Sequence, residues 1–243
     1  MILYYLRHGD PIYDPDSLTE YGHVQADALS KRLKYSGLDY LFSSPSNRAR
    51  LTADPTAKAL NLPVEIEDFL SEDITWGEFT LPLDGGKSRA WIFQIKELVK
   101  LLNSDEIRNM GFTWYDHPAF SDTKCKQGCI RMRNAVNGFM AKLGLIYNPD
   151  DHCFVANEKF SKYHDKKVGI FAHEGTGALF LSTLLDIPYP YLSRFEMNTT
   201  GMTVIRLDAD QNGVVIPKLL QFNNDSHLYK EGLSTALNKG TVI

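Results

Sequence analysis

The chain has 243 residues, 43% of them hydrophobic, which is enough for a sizeable buried core. Its 26 Lys and Arg against 30 Asp and Glu leave a formal charge of −4, too balanced for a protein held to nucleic acid by general phosphate attraction, so any anion site must be local. No run approaches the roughly 20 apolar residues of a membrane span, and residues 1–9 lack the basic start, apolar stretch and small-residue cleavage site of a secretory leader, so a cytoplasmic protein is expected. Three cysteines, Cys125, Cys129 and Cys153, cannot all pair within one chain, and reduced thiols are expected.

In chain order, the apolar run 2–6 predicts a strand buried on both faces. A loop holding Pro11 and Pro15 follows, and Thr19 is placed to cap a helix over 20–34, where Tyr21, Val24, Ala28, Leu29 and Leu33 recur at helical spacing. Residues 39–43 predict a second strand. Residues 46–60 predict a helix that Asp54-Pro55 should kink or restart, because proline lacks a backbone donor. A third strand fits 64–66 and a fourth 168–172, with a helix running on to 185. Residues 203–207 and 214–220 flank the turn-rich 208–213 and predict a hairpin. Alternating strands and helices imply an α/β fold, a three-layer α/β/α arrangement around a mostly parallel sheet that is mixed at one edge.

No repeat or Pro/Gly/Ser linker appears, so the chain reads as one domain with a helical insertion over about 78–167. Within it, helical patterns cover 88–102 and 124–144, joined by the aromatic-rich 111–120, which suits either a packed lid or the wall of a substrate pocket. Trp91, Phe93, Ile95, Leu98 and Leu102 read as core. Gly85-Gly86-Lys87-Ser88 imitates the end of a nucleotide-binding loop, but the earlier glycine would fall at Leu81, so that reading is rejected. Cys125 and Cys129 have helical spacing inside an apolar pattern and read as packing residues, not metal ligands.

Ligands of open α/β sheets collect at the carboxyl ends of the strands, and here three such ends carry unusual polar residues. The first strand runs into Arg7-His8-Gly9, the second into Ser43-Ser44-Pro45-Ser46-Asn47-Arg48, the fourth into His173-Glu174-Gly175. An arginine fork can hold two oxygens of a phosphate monoester while staying charged, which suits Arg7 and Arg48. A neutral imidazole among these cations can attack phosphorus. Gly9 is expected to leave room for the ligand.

These residues carry a resemblance. Leu6-Arg7-His8-Gly9, the run Leu18-Thr19-Glu20-Tyr21-Gly22-His23-Val24-Gln25-Ala26, the run Ser44-Pro45-Ser46-Asn47-Arg48-Ala49-Arg50-Leu51-Thr52-Ala53, and Phe171-Ala172-His173 are similar, in order, to the histidine phosphatase superfamily with its phosphoglycerate mutase-like fold. The resemblance covers about residues 2–77 and 168–207. It implies that His8 is the phosphoryl-accepting nucleophile, that Arg7 and Arg48 bind phosphoryl oxygens, that His173 is a second phosphate-contacting and catalytic histidine, and that no metal or cofactor takes part.

The leaving oxygen needs a proton donor, for which a carboxylic acid with a raised pKa is the usual solution. Counting back from Gly77 through Trp76 and Ile74 favours Asp73; counting forward from Leu70 favours Glu72; Glu174 directly follows the second histidine and ranks third. Two departures stand out. Asp14 occupies a position where relatives have a phosphate-contacting asparagine, and Glu174 stands where glycine is common, lowering phosphate affinity or selecting a substrate with a cationic group. The reading is a metal-independent phosphomonoesterase acting on a small phosphorylated metabolite through a phosphohistidine. The alternatives are a mutase-type phosphotransferase, disfavoured because Asp73-Ile74-Thr75-Trp76-Gly77 replaces the mutase run Glu-Arg-His-Tyr-Gly, and a non-catalytic phospho-ligand binding module. Neither nucleic acid nor membrane is an expected partner, and a homo-oligomer is compatible with the sequence.

Overall fold

The computed structural model describes residues 1–235. Six strands form the central sheet: β1 (Ile2–Arg7), β2 (Tyr40–Ser43), β3 (Val64–Ile66), β4 (Lys167–Ala172), β5 (Met202–Arg206) and β6 (Lys218–Asn224). Their order across the sheet is β6-β5-β1-β4-β2-β3. β1, β4, β2 and β3 run parallel, and β5 and β6 add an antiparallel edge. Helices α1 (Glu20–Ser36) and α2 (Asn47–Leu60) follow β1 and β2. α3 (Glu72–Phe79), α4 (Cys125–Lys142) and α5 (Glu174–Leu184) complete the principal helices.

Strand alternation sorts the core into two layers. Leu3 and Tyr5 of β1 join Val168 and Ile170 of β4 in one cluster with Val136, Phe139 and Phe180 of α4 and α5. Leu6 and Phe171 turn to the opposite face and meet Leu29 and Leu33 of α1 and Ala53 of α2. Both faces are thus covered, which is why these strands read as nearly continuous apolar runs. Thr19 caps α1 by accepting from the Gly22 N–H at 2.9 Å, and Gly37 ends the helix in the left-handed conformation at φ 68°.

Three local expectations change and one open choice is resolved. α2 runs unbroken through Pro55, and Asp54 pairs with Lys58 at 2.5 Å. The buried residues Ala49, Ala53 and Thr56 lie on both sides of the proline, and their packing offsets the roughly 3 kcal/mol that an interior proline costs. The expected hairpin partner of β5 is displaced: β6 starts at Lys218, while Val214–Val215 leaves to pair with Cys153–Ala156 in a separate small sheet. Ser88–Trp91 is a strand pairing with Thr80–Leu83, so the helix expected over 88–102 is confined to Lys96–Leu102. The segment 111–120 forms two short 3-10 turns whose Trp114, 1% exposed, stacks on Tyr189 at 5.5 Å and meets Phe120 edge-on at 4.9 Å. Of the two readings for this segment, packing is the one its geometry shows.

Candidate active site

Strand register brings the motif residues together. Arg7 lies opposite Ala172, and the His8 N–H donates to the Ala172 carbonyl at 2.9 Å, so His8 and His173 leave adjacent strands side by side. Their rings stand edge to face, 5.1 Å between centroids. Ser43 lies opposite Phe171, which places Ser44 beside them, and its hydroxyl is 2.8 Å from His173 Nε2. Arg48 reaches the same point from the first turn of α2.

The less conspicuous residues of those motifs anchor the loop after β1. The Gly9 N–H donates to Thr52 Oγ1 at 2.9 Å, and the Asp10 N–H donates to Gln25 Oε1 at 2.8 Å. A Cβ on Gly9 would stand 2.6 Å from the Gly22 carbonyl oxygen. Glycine at position 9 is therefore required by the approach of α1, and the expected role of making space for a ligand is corrected.

His8 lines a cavity of about 510 Å³ together with Arg7, Arg48, Glu72 and Glu174. Its Nδ1 lies 2.7 Å from the Gly9 carbonyl oxygen. A carbonyl can only accept, so the neutral ring carries its proton on Nδ1 and keeps the Nε2 lone pair free. Burial first, and the Arg7 guanidinium second, push this imidazole down to about 3. Each guanidinium has a carboxylate partner. Arg7 Nη1 is 2.9 Å from Glu174 Oε2 and also donates to the Met197 carbonyl; Arg48 Nη1 is 2.8 Å from Asp16 Oδ1.

Three carboxylates competed for the acid position, and the structure separates them. Glu72, at the start of α3, turns inward: Oε1 accepts from the Thr176 N–H at 3.1 Å, and Oε2 lies 3.5 Å from His173 Nδ1. Burial raises its carboxyl to about 7, opposed by the Thr176 N–H and by the more distant charges of Arg48 and Arg7. Gly175 makes that approach possible, since a Cβ there would fall 2.6 Å from Glu72 Oε1 and 2.7 Å from the Trp91 ring. Asp73 also lines the cavity but is exposed on the outer side of the turn. Glu174 is committed to Arg7 and to the Met197 N–H. Asp73, ranked first by the motif count, thus lies on the exposed side of α3, and Glu72, ranked second, is the carboxylate the helix turns inward.

His173 is fully buried and stands behind the cavity wall, close to His8, Ser44 and Glu72. Burial, above all, holds its imidazole well below the ordinary range. Asp14 is exposed and does not line the cavity, whereas Asp16, unremarked in the sequence, anchors Arg48. Trp91 and Phe93, expected in the core, are half-buried and form part of the cavity wall with their rings stacked at 5.0 Å. Among the described residues the three thiols are free, no His, Cys, Asp and Glu side chains gather as metal ligands, and no helix is long and apolar enough to cross a membrane.

The model of the histidine phosphatase superfamily (branch 1) matches residues 3–84. Phosphoserine phosphatase 1 of Hydrogenobacter thermophilus is 30% identical over 218 residues, spanning 89% of this chain and 84% of that protein. The chain belongs to the histidine phosphatase superfamily and is a phosphatase of it. Two solved structures share the fold at low identity. Phosphoserine phosphatase from Entamoeba histolytica, in complex with 3-phosphoglyceric acid, aligns with a TM-score of 0.59 at 17% identity, over 93% of this chain and 98% of that one. A mycobacterial glucosyl-3-phosphoglycerate phosphatase holding inorganic phosphate aligns with a TM-score of 0.60 at 20% identity, over 93% and 98%.

Proposed function

We propose that the protein is a phosphomonoesterase that acts on a small phosphorylated metabolite in the cytoplasm and carries the phosphoryl group on His8. The observation that carries this reading is the hydrogen bond from His8 Nδ1 to the Gly9 carbonyl, which leaves Nε2 as an unprotonated nucleophile at a cavity shared with both guanidiniums and Glu72. Arg7 and Arg48 exchange their carboxylate partners for phosphoryl oxygens and balance charge in the transition state, the part a metal plays elsewhere. Nε2 attacks phosphorus in line while the bond to the leaving oxygen breaks, and Glu72 delivers its proton to that oxygen. Water, deprotonated by the resulting Glu72 carboxylate, then attacks phosphorus, the P–N bond breaks and phosphate leaves. His173, whose Nε2 meets the Ser44 hydroxyl, faces Glu72 with Nδ1 from behind the cavity wall and positions that carboxyl. Residues 78–167, read as an insertion into a single domain, supply the aromatic wall on the leaving-group side.

The test is phosphate release from a panel of phosphorylated metabolites, beside His8→Ala. Release from a subset, lost in the variant and unaffected by chelators, supports the reading. Isomerisation of 3-phosphoglycerate primed by a bisphosphate, without phosphate release, replaces it with a mutase; silence in both assays replaces it with a binding module.

A further inference from the structure

The cavity is larger than a phosphoryl group needs, and its leaving-group half has a distinct composition. Trp91 and Phe93 stack at an interplanar angle of 21°, and Trp76 meets Trp91 edge-on at 86° with 4.9 Å between centroids, so the aromatic rings form a corner in the cavity wall. Trp76 is 36% exposed although it lines this cavity. Glu174 and Asp73 border the same region.

Charge accounting gives the corner a meaning. Among the described residues, Arg7 and Arg48 are the only Lys or Arg on the cavity wall, and a bound phosphoryl dianion neutralises both. The carboxylates of Asp16 and Glu174 then stand without their cations, and with Asp73 they border a space walled by π-faces. A leaving group bearing its own carboxylate meets like charge there and no cation. One bearing an ammonium meets carboxylates and ring faces together, the combination by which aromatic corners hold alkylated ammonium groups.

Resting on the phosphomonoesterase reading, we propose that the preferred substrates are phosphomonoesters whose leaving alcohol carries an ammonium group a short carbon spacer from the ester oxygen and no carboxylate, with Glu174 and the Trp76–Trp91–Phe93 corner as the determinants of that preference. Glu174 is suited to the role because it moves with substrate binding: the phosphoryl group takes Arg7 from it and frees Oε2 for the incoming cation. The Met197 N–H keeps Oε1 in place meanwhile. A carboxylate at this position has a cost, since it competes with phosphate for Arg7, and recognition of a cation is what offsets that cost.

The experiment compares phosphocholine with its carbon isostere, in which the quaternary nitrogen is replaced by carbon, and with phosphoserine and 3-phosphoglycerate. kcat/KM for phosphocholine should exceed that for the isostere by about tenfold, and exceed the carboxylate-bearing substrates by more. In Glu174→Gln and in Trp76→Leu the ratio of phosphocholine to isostere should collapse towards one, mainly through KM. A ratio at or below one in the wild type, a preference for 3-phosphoglycerate or phosphoserine, or a ratio unmoved in both variants would overturn the proposal. Binding of phosphocholine and the isostere to His8→Ala, measured by calorimetry, reads the same preference without turnover, and equal affinities would also overturn it. Para-nitrophenyl phosphate separates the two readings: failure of the wild type to hydrolyse it, or its hydrolysis by His8→Ala, removes the phosphohistidine mechanism, while the calorimetric ratio still decides the ammonium preference.

Discussion

The histidines of the strand-end cluster and the Trp114 ring are all deeply buried, yet different forces fix them. At the strand ends every side chain answers to a polar partner: His8 to the Gly9 carbonyl, His173 to Ser44, Arg48 to Asp16, Glu72 to the Thr176 N–H. Around Trp114 the partners are the rings of Phe120, Tyr115 and Tyr189, which ask for volume and shape. The first kind of site tolerates almost no chemical change and contributes little stability; the second tolerates apolar exchange and contributes much. Stability and activity should therefore come apart on mutation.

The largest expected effect is on activity alone. On the proposed mechanism His8→Ala removes the phosphoryl-accepting nucleophile, and kcat should fall by at least about ten-thousandfold. The urea midpoint should change little, because a buried imidazole with one hydrogen bond is being replaced by a smaller apolar group. Residual turnover within tenfold of the wild type would show that another nucleophile serves and would erase the contrast.

Trp114→Ala should do the reverse. Emptying a fully buried indole costs about 3–5 kcal/mol, a hundredfold to several-thousandfold in the folding equilibrium. Trp114 does not line the cavity, so kcat per folded molecule should remain within a few-fold of the wild type. A matching loss of kcat in samples shown to be folded would mean that the packed segment and the cavity are coupled.

Glu72→Gln and Asp73→Asn sharpen the comparison inside the site itself. Hydrolysis of alkyl phosphates should slow by about a hundredfold in Glu72→Gln, since their alkoxide leaving groups depend on the proton, while nitrophenyl phosphate should be much less affected. The fall of the wild-type rate above about pH 7, where burial has placed the Glu72 carboxyl, should vanish in that variant. If Asp73→Asn shows this leaving-group dependence instead, the inward carboxylate is not the acid.

The same contrast explains what the sequence disclosed. The four strands preceding or closing the site, the cap at Thr19 and the convergence of Arg7, His8, Arg48 and His173 were legible because phosphoryl chemistry restricts residue identity at strand ends. Asp16 was not, because a carboxylate at the start of a short hairpin strand has many bland uses and only the fold brings it to Arg48. Asp73 and Glu72 are neighbours in sequence, and the choice between them depends on the rotation of one short helix, which local pattern does not encode. Trp91 and Phe93 carried an apolar spacing that fits core and cavity wall alike. The displaced partner of β5 was hidden for a similar reason: the run 214–220 looks continuous, but Val214–Val215 is claimed by Cys153–Ala156, more than fifty residues away.

The smallest expected effect tests the electrostatics of Glu72 without any catalysis. Its carboxyl is raised from an ordinary 4.5 to about 7, chiefly because burial disfavours the charged form. Between those values the folded protein holds a proton that the unfolded chain has released, so this group's contribution to stability falls as pH rises, and the loss is complete above about 7. Glu72→Gln removes the ionisation while keeping an acceptor for the Thr176 N–H. Its stability relative to the wild type should therefore grow between pH 4.5 and 8 by on the order of 1–3 kcal/mol, read as diverging urea midpoints. A constant difference across that range would show that Glu72 ionises as freely in the folded protein as in water. A difference of the opposite sign would show that the guanidiniums of Arg7 and Arg48 outweigh burial, which would leave Glu72 a permanent anion unable to protonate the leaving group.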